Sequence, residues 1–287
     1  MKNIRLLKRY FEELVAQMPA MQKIRFYQAV YSHKRCEQAM RLLQISVGKQ
    51  SERSSNHFFA EYKTKSVLDQ ESVLAKASGY DVISFDIFDT LLFRNVKRPT
   101  DVFRLLEQEN RIPHFAQLRV SAEHKARQEK YISSGSDEIT IHDIYQMAEL
   151  KCMMPSQTMI ANEIAKELEC CYANPVMAAL VERLSKANVS IIAVSDMYLT
   201  EPILTRLLQN CGFTKIEAVF ASSEYGVSKN GGELFEVVKQ KLGPNKRILH
   251  IGDNFHSDVL MCEKMNLDAL HYCRDGTGGE RDKGRVL

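Results

Sequence analysis

Residues Asp81-Val82-Ile83-Ser84-Phe85-Asp86-Ile87-Phe88-Asp89-Thr90 set the tightest limit on how this chain can fold. A short run of strand-forming residues ends abruptly on a carboxylate, and a turn and a hydroxyl residue follow. Carboxylates are rarely left at the end of a core strand without a partner, because an unpaired buried charge is costly. The segment therefore asks for polar company at the end of its strand.

Three later segments offer that company in a fixed order. Ile191-Ile192-Ala193-Val194-Ser195-Asp196-Met197 is a second apolar strand, ending on a hydroxyl residue. Lys229 lies in Tyr225-Gly226-Val227-Ser228-Lys229-Asn230-Gly231-Gly232, a loop that leads into a helical run from Glu233 to Lys241. Ile248-Leu249-His250-Ile251-Gly252-Asp253-Asn254-Phe255-His256-Ser257-Asp258 is a strand that delivers two carboxylates five residues apart. A parallel sheet flanked by helices gathers the carboxyl ends of its strands along one edge, where ligands bind. Such a fold would bring Asp86, Ser195, Lys229, Asp253 and Asp258 together.

Taken together, these residues resemble the haloacid dehalogenase-like hydrolase superfamily, over roughly residues 80 to 273. The resemblance implies a doubly wound, Rossmann-like parallel sheet and, for most members, a magnesium-dependent phosphatase. Phe85-Asp86-Ile87-Phe88-Asp89-Thr90-Leu91-Leu92 with Ser195-Asp196-Met197-Tyr198-Leu199 looks like a bacterial subgroup of predicted hydrolases, often encoded beside or fused to glycosyltransferases of surface-polysaccharide pathways.

The resemblance also implies roles. Asp86 is the expected nucleophile, forming an aspartyl-phosphate that water then hydrolyses. Mg²⁺ takes hard oxygen ligands, and Asp86, Asp253 and the backbone carbonyl of Phe88 fit as direct ones. Asp258 would bind the metal through water or hold Lys229. Ser195 would hydrogen-bond the transferring phosphoryl group and Lys229 would neutralise its charge, since phosphoryl transfer is largely positioning and electrostatics. Asp196 and Arg94 are the expected substrate-binding residues, Arg94 through an anionic group.

One position departs from the pattern. Most phosphatases of the superfamily carry a second Asp two residues after the nucleophile, to protonate the leaving group; here that residue is Phe88. Losing a general acid commonly costs ~10²–10⁴ in rate. A leaving group that needs little protonation, a proton from Asp89 or His256, or loss of activity would each account for it. Dehalogenases also lack the second Asp. They work without a metal, however, and have no reason to keep Gly252-Asp253-Asn254 with Ser257-Asp258, so metal-dependent phosphoryl chemistry is favoured.

Between the first and second motifs lie about a hundred residues, far more than a strand–helix connection requires. Residues 98–173 read as helix-rich, and an insertion at this point in the superfamily forms a cap that closes over the active site. Arg119, Glu123 and Arg127 repeat at four-residue spacing there, as a substrate-facing cluster or as a surface ion-pair ladder. His250 reads as a hydrogen-bonded core histidine, and Asp89 as a turn or helix cap.

The net charge of +3 hides an asymmetry: residues 1–75 carry 13 Lys or Arg against 7 Asp or Glu. Leu7, Phe11, Leu14 and Met18 recur at helical spacing, and Ile24, Tyr27, Tyr31 and Leu43 suggest a second amphipathic helix. These basic helices would suit an acidic protein partner or an anionic membrane surface; the plainer reading packs them on the hydrolase core. No aromatic–basic array points to nucleic acid. No run approaches the ~18 apolar residues of a membrane span, and the start of the chain lacks an apolar leader. The seven scattered cysteines show no zinc spacing and read as reduced thiols. A cytoplasmic enzyme is the expectation.

The expected architecture is thus a basic helical segment (1–75), an α/β core (76–97 and 174–287) with strands near 81–86, 190–195, 216–221 and 247–252, and an inserted helical cap (98–173). The expected function is Mg²⁺-dependent hydrolysis of a small phosphorylated metabolite, with a sugar or polyol phosphate suggested only by the family resemblance. The rival is a catalytically weak scaffold that keeps the fold and binds a partner through its N-terminal helices.

Overall fold

Alternation along a few short apolar strands decides how this chain layers. The structure, a computed structural model, describes residues 70–151, 155–187 and 189–272. The two amphipathic helices expected before residue 70 lie outside the described residues.

In chain order the elements begin with α1 (Gln70–Ala77), β1 (Val82–Phe85) and β2 (Leu92–Arg94). The helices α2 (Asp101–Asn110), α3 (Phe115–Ser134), α4 (Ile141–Tyr145), α5 (Ala148–Lys151) and α6 (Ser156–Cys170) follow, and β3 (Cys171–Ala173) closes that stretch. Then come α7 (Pro175–Lys186), β4 (Ser190–Ser195), α8 (Glu201–Asn210), β5 (Ala218–Ala221) and α9 (Ser222–Tyr225). The described chain ends with α10 (Glu233–Leu242), β6 (Ile248–Gly252), a π-helical turn at Phe255–Leu260, α11 (Met261–Lys264) and β7 (Asp268–His271).

Five strands form one parallel sheet in the order β5-β4-β1-β6-β7. Side chains alternate faces along a strand, and the two faces feed two cores. Ile83, Phe85, Ile191, Ala193, Leu249 and Ile251 pack with Leu180 and Leu184 of α7 and Leu204 and Leu207 of α8. Val82, Ile192, Val194 and Ile248 pack on the other side with Leu234, Phe235 and Val238 of α10. This is the α/β, doubly wound arrangement expected. The expected strand at 216–221 is shorter, and β7 joins as an edge strand that the apolar pattern did not announce: Asp268 is exposed and its three neighbours are only half-buried.

α1 runs through residue 77 without a break and contributes Val73 and Ala77 to the first core. Arg183 of α7 binds Glu71 at 2.8 Å. The four described cysteines, Cys170, Cys171, Cys211 and Cys262, are free thiols. Among the described residues no helix is long and apolar enough to cross a membrane.

The helices α2 to α6 are spliced in through a narrow neck. β2 and β3 form a two-stranded antiparallel ribbon, pairing Leu92 with Ala173 and Arg94 with Cys171. The N–H of Asn95 donates to the carbonyl of Cys170 at 2.9 Å, and that of Asn174 to Leu91 at 2.8 Å. Asn174 then caps α7 by accepting from the Val176 N–H, while its amide donates to the Thr90 carbonyl and the Tyr272 hydroxyl.

Inside the inserted helices the decisive residue is Arg119. The 119–123–127 row does form the expected ion-pair ladder, with Arg119 Nη1 3.1 Å from Glu123 Oε2, but Arg119 itself is not on the surface, because its side chain is fully buried. Its guanidinium forks onto Glu163 of α6, Nε to Oε2 and Nη2 to Oε1, both at 2.8 Å. The Tyr145 hydroxyl donates to Glu163 at 2.6 Å, and the rings of Phe103 and Tyr198 lie 4.5 and 4.8 Å from the guanidinium carbon. Glu123 and Arg127 complete a partly exposed pair at 3.1 Å.

Removing one partner of a buried pair strands the other charge, which costs about 3–5 kcal/mol, whereas a well-packed apolar replacement of both is close to neutral. Glu163→Ala is therefore expected to lose that much unfolding free energy in urea, and Arg119→Met with Glu163→Leu to retain most of the original stability.

Candidate active site

The strand register levels the site residues before any side chain is considered. Phe85 pairs with Ala193 on one side and Ile251 on the other, so Asp86, Ser195 and Asp253 all emerge just past that level, at the carboxyl edge. The Asp86 N–H is fixed by the Ile251 carbonyl at 2.9 Å. Beyond it the chain folds back sharply: the N–H of Leu92 reaches the Ile87 carbonyl, and that of Asp89 reaches Leu92. Asp89 takes a positive φ of 63°, a left-handed conformation that Asp tolerates better than most residues.

β6 ends in Gly252 for a steric reason. A Cβ there would come within 2.3 Å of the Asp258 carboxylate, so only glycine lets Asp258 reach its place. Asn254 accepts from the N–H groups of His256 and Ser257, and its own N–H donates to Asp258 Oδ2 at 2.9 Å. The π-helical turn that follows, an uncommon geometry concentrated at functional sites, holds Asp258 fully buried.

Lys229 arrives from the opposite flank. Its loop is fastened by Asp196, whose carboxylate accepts from the backbone N–H of Lys229 at 2.6 Å and of Asn230 at 3.0 Å. The Lys229 ammonium sits between Asp86 Oδ1, at 2.5 Å, and Asp258 Oδ1, at 2.7 Å. His250 Nε2 lies 3.3 Å from the same Asp258 oxygen, and its Nδ1 is 2.8 Å from the Ser84 hydroxyl. With Nε2 carrying the proton, the ring donates to Asp258 and accepts from Ser84. Burial lowers its pKa further and keeps it neutral.

The structure thus brings Asp86, Lys229, Asp253 and Asp258 together, with Ser195 buried at the end of the neighbouring strand. Phe88 stands on the turn two residues after Asp86, its ring half-buried. The two expected substrate-binding residues are otherwise engaged: Asp196 by the Lys229 loop, and Arg94 by Glu167, with Nε to Oε2 at 2.8 Å and Nη2 to Oε1 at 3.2 Å. The Arg94 guanidinium also lies over the Phe88 ring, 4.0 Å from its centre. Glu167, Thr90 (which donates to Asp253 at 3.4 Å) and His271 (whose Nε2 lies 2.8 Å from the Asp253 carbonyl) escaped the sequence reading. The four-residue step between Glu163 and Glu167 was visible, but their partners lie 44 and 73 residues away in the chain.

The family model for the haloacid dehalogenase-like hydrolases matches residues 80–266, close to two thirds of the chain, and that span holds Asp86, Ser195, Lys229, Asp253 and Asp258. The chain belongs to the haloacid dehalogenase-like hydrolase family. Similar solved structures include the Bacillus subtilis protein YfnB, described as a HAD-hydrolase and bound to magnesium (18% identity, 66% of this chain and 87% of that one, TM-score 0.47). The 2-haloacid dehalogenase of Pseudomonas syringae pv. Tomato DC3000 covers 67% and 86% at 12% identity, TM-score 0.49. The L-2-haloacid dehalogenase of Xanthobacter autotrophicus, with chloropropionic acid covalently bound, covers 67% and 77% at 13% identity, TM-score 0.47. At these identities and TM-scores the likeness carries neither activity nor substrate to this chain. No curated protein sequence matches the chain.

The charges of this hydrolase's site do not balance on their own. Oxygens of Asp86, Asp253 and Asp258 lie within 4.8 Å of one another, three carboxylates against the single ammonium of Lys229. Burial pushes the Asp86 carboxyl up to about 7; Lys229 pulls it back and Asp258 adds to the rise. Burial raises Asp253 well above the carboxylate range, helped by the charges of Asp86, Asp258 and Asp89. Burial also opposes the charge on Asp258, yet Lys229 and His250 hold that carboxyl below its usual range. Asp86 and Asp253 are thus the strained pair, and hard oxygen donors at this spacing suit a small divalent cation such as Mg²⁺.

Removing one of these carboxylates should relieve the repulsion. Asp253→Asn is expected to raise the unfolding midpoint in EDTA, by roughly 2–4 °C for each kcal/mol relieved. Thermal unfolding with and without Mg²⁺ checks this, with the wild type stabilised by the ion and the variant unresponsive.

Proposed function

We propose that this hydrolase is a Mg²⁺-dependent phosphatase that works through an aspartyl-phosphate on Asp86, acting on a small phosphorylated metabolite. One observation carries the reading: the Lys229 ammonium bridges Asp86 and Asp258 while Asp253 lies beside them within 4.8 Å. A dehalogenase that used Asp86 without a metal would have no use for so crowded a set of carboxylates.

Asp86, Asp253 and the Phe88 carbonyl would hold the cation, which supplies charge neutralisation for the phosphoryl oxygens. Asp258 is bound to Lys229, so its part is to fix the ammonium and leave Asp86 Oδ2 for attack at phosphorus. Lys229 and the Ser195 hydroxyl then meet the charge on the transferring phosphoryl group, already in place in a water-poor edge of the sheet. Water attacks the aspartyl-phosphate and regenerates Asp86. Sugar and polyol phosphates of surface-polysaccharide synthesis are the first substrates to try, supported by the resemblance of residues 85–92 and 195–199 alone.

Phosphate release from a panel of sugar phosphates, polyol phosphates, nucleotides and acetyl phosphate tests the proposal. Release is expected with Mg²⁺, to vanish in EDTA, and to fall to background in Asp86→Asn. Lys229→Met should lower kcat by about 10²–10³, the usual worth of one preorganised charge-stabilising donor. Background rates across the whole panel, with Mg²⁺ still bound, would reject the enzyme in favour of a scaffold.

A further inference from the structure

We propose that His271 is a positioning residue for the cation: it fixes Asp253 through the backbone, as one link in a ring of hydrogen bonds that also runs through the neck of the inserted helices. The inference rests on the Mg²⁺ reading above and adds a residue of the edge strand to it.

Asp253 needs such a hold more than its neighbours do. Asp86 and Asp258 are each pinned by the Lys229 ammonium. The Asp253 carboxylate has one hydrogen bond among the described residues, from the Thr90 hydroxyl to Oδ1 at 3.4 Å. At that length the contact steers the group only weakly. Mg²⁺ demands its ligands in a near-ideal octahedron, so the backbone beneath Asp253 must carry the rest of the constraint.

That backbone lies where the sheet ends. β7 pairs Gly252 with His271 as the last rung of its register, and the Tyr272 N–H donates to the Gly252 carbonyl at 2.8 Å. The Asp253 carbonyl lies one residue past that rung. The His271 side chain supplies the donor that the strand no longer provides: its Nε2 lies 2.8 Å from the carbonyl. A carbonyl oxygen can only accept, so Nε2 carries the proton. Phe255 braces the imidazole edge-on, with ring centres 5.4 Å apart, and Phe255 opens the π-helical turn that carries Asp258.

The rest of the ring approaches Asp253 from the other side. Thr90 donates its hydroxyl to Asp253, and its carbonyl accepts from the Asn174 amide at 2.8 Å. The same amide nitrogen donates to the Tyr272 hydroxyl at 2.9 Å. Tyr272 follows His271 in the chain, so the circuit closes. Thr90, Asn174 and Tyr272 are all buried, and a buried polar network with its partners supplied specifies one geometry. Asn174 also gives its backbone N–H to Leu91, where the inserted helices rejoin the core. The ring therefore ties a cation ligand to the neck.

The test uses the full chain stripped of metal with EDTA, titrated calorimetrically with Mg²⁺ and unfolded thermally with and without the ion. His271→Phe keeps an aromatic ring beside Phe255 but offers no donor. It is expected to weaken Mg²⁺ binding by about 10–100-fold, the usual cost of losing a group that orients a metal ligand. His271→Gln carries an amide N–H on a side chain of similar reach and should recover most of that loss. Tyr272→Phe deletes one hydroxyl of the ring and keeps its packing, with about a tenfold weakening expected. In the weakened variants the rise in unfolding midpoint that Mg²⁺ brings to the wild type should shrink.

A merely structural role would lower the midpoint in EDTA and leave the Mg²⁺-dependent rise as large as in the wild type. That result, or unchanged Mg²⁺ affinity in His271→Phe, would overturn the inference while the metal reading stands. Equal weakening in the Phe and Gln variants would overturn it too, because the N–H would not be the cause. Unchanged affinity in Tyr272→Phe would break the ring. A wild type that neither binds Mg²⁺ nor is stabilised by it would reject the metal reading, and this inference with it.

Discussion

An ammonium held 2.5 Å from Asp86 and 2.7 Å from Asp258 is what allows β1, β6 and the loop after α9 to meet at one edge. Burying two carboxylates that close would be prohibitive without it, and burying the lysine alone would be equally so. Each group makes the position of the others tolerable. The surrounding devices serve that contact: Asp196 pins the lysine's backbone, Gly252 makes room for Asp258, and Asn254 shapes the turn that carries it. Asp253 lies outside the bargain. It has a weak contact from Thr90 at 3.4 Å and no cationic side chain hydrogen-bonded to it among the described residues, which is why the site asks for one more positive charge.

The same logic recurs in the inserted helices with different partners. α6 presents Glu163 and Glu167 on one face, a turn apart, and each takes a guanidinium in a two-point grip. Arg119 ties α6 to α3, and Arg94 ties it to the ribbon next to the nucleophile's turn. Tyr198, three residues past Ser195, packs on Arg119, and its carbonyl accepts from the Ile141 N–H at 2.8 Å. The ribbon after β1 and the loop after β4 are therefore bonded to the inserted helices through buried, directional contacts in addition to the shared apolar core. Buried ion pairs of this kind are weak sources of stability but strong constraints on geometry.

The sheet was legible because its strands are short apolar runs that end on polar residues, a pattern packing alone does not produce. Asp86, Lys229, Asp253 and Asp258 followed from placing those ends at one edge. Their neighbours did not follow. β2 and β3 are three residues each, too short for a period-two signal, and β7 reads as polar because it lies at the sheet's margin. Arg119 read as part of a substrate-facing cluster or a surface ladder because its own helix shows charges every four positions; only Glu163, 44 residues on, makes its burial tolerable. The family resemblance implied a role toward substrate for Asp196, whereas its carboxylate turns toward the backbone of Lys229 and Asn230. Local pattern reveals where a polar side chain starts, and the partner that fixes it comes from a distant part of the chain.

The two-stranded neck has a consequence for how such a protein can change. The chain leaves the core at Asn95 and returns at Cys170, and those two residues are joined by a 2.9 Å hydrogen bond. To the sheet, everything between them is a closed loop whose ends already touch. Lengthening such a loop costs little, about 0.6 kcal/mol per doubling, so insertions or deletions there leave the nucleophile's strand undisturbed. Selection can therefore rework the inserted helices with little disturbance to β1, subject to two restrictions: whatever replaces α6 must still offer Arg94 a carboxylate, and the insertion must still meet the loop after β4, where Tyr198 packs on Arg119 and accepts from the Ile141 N–H.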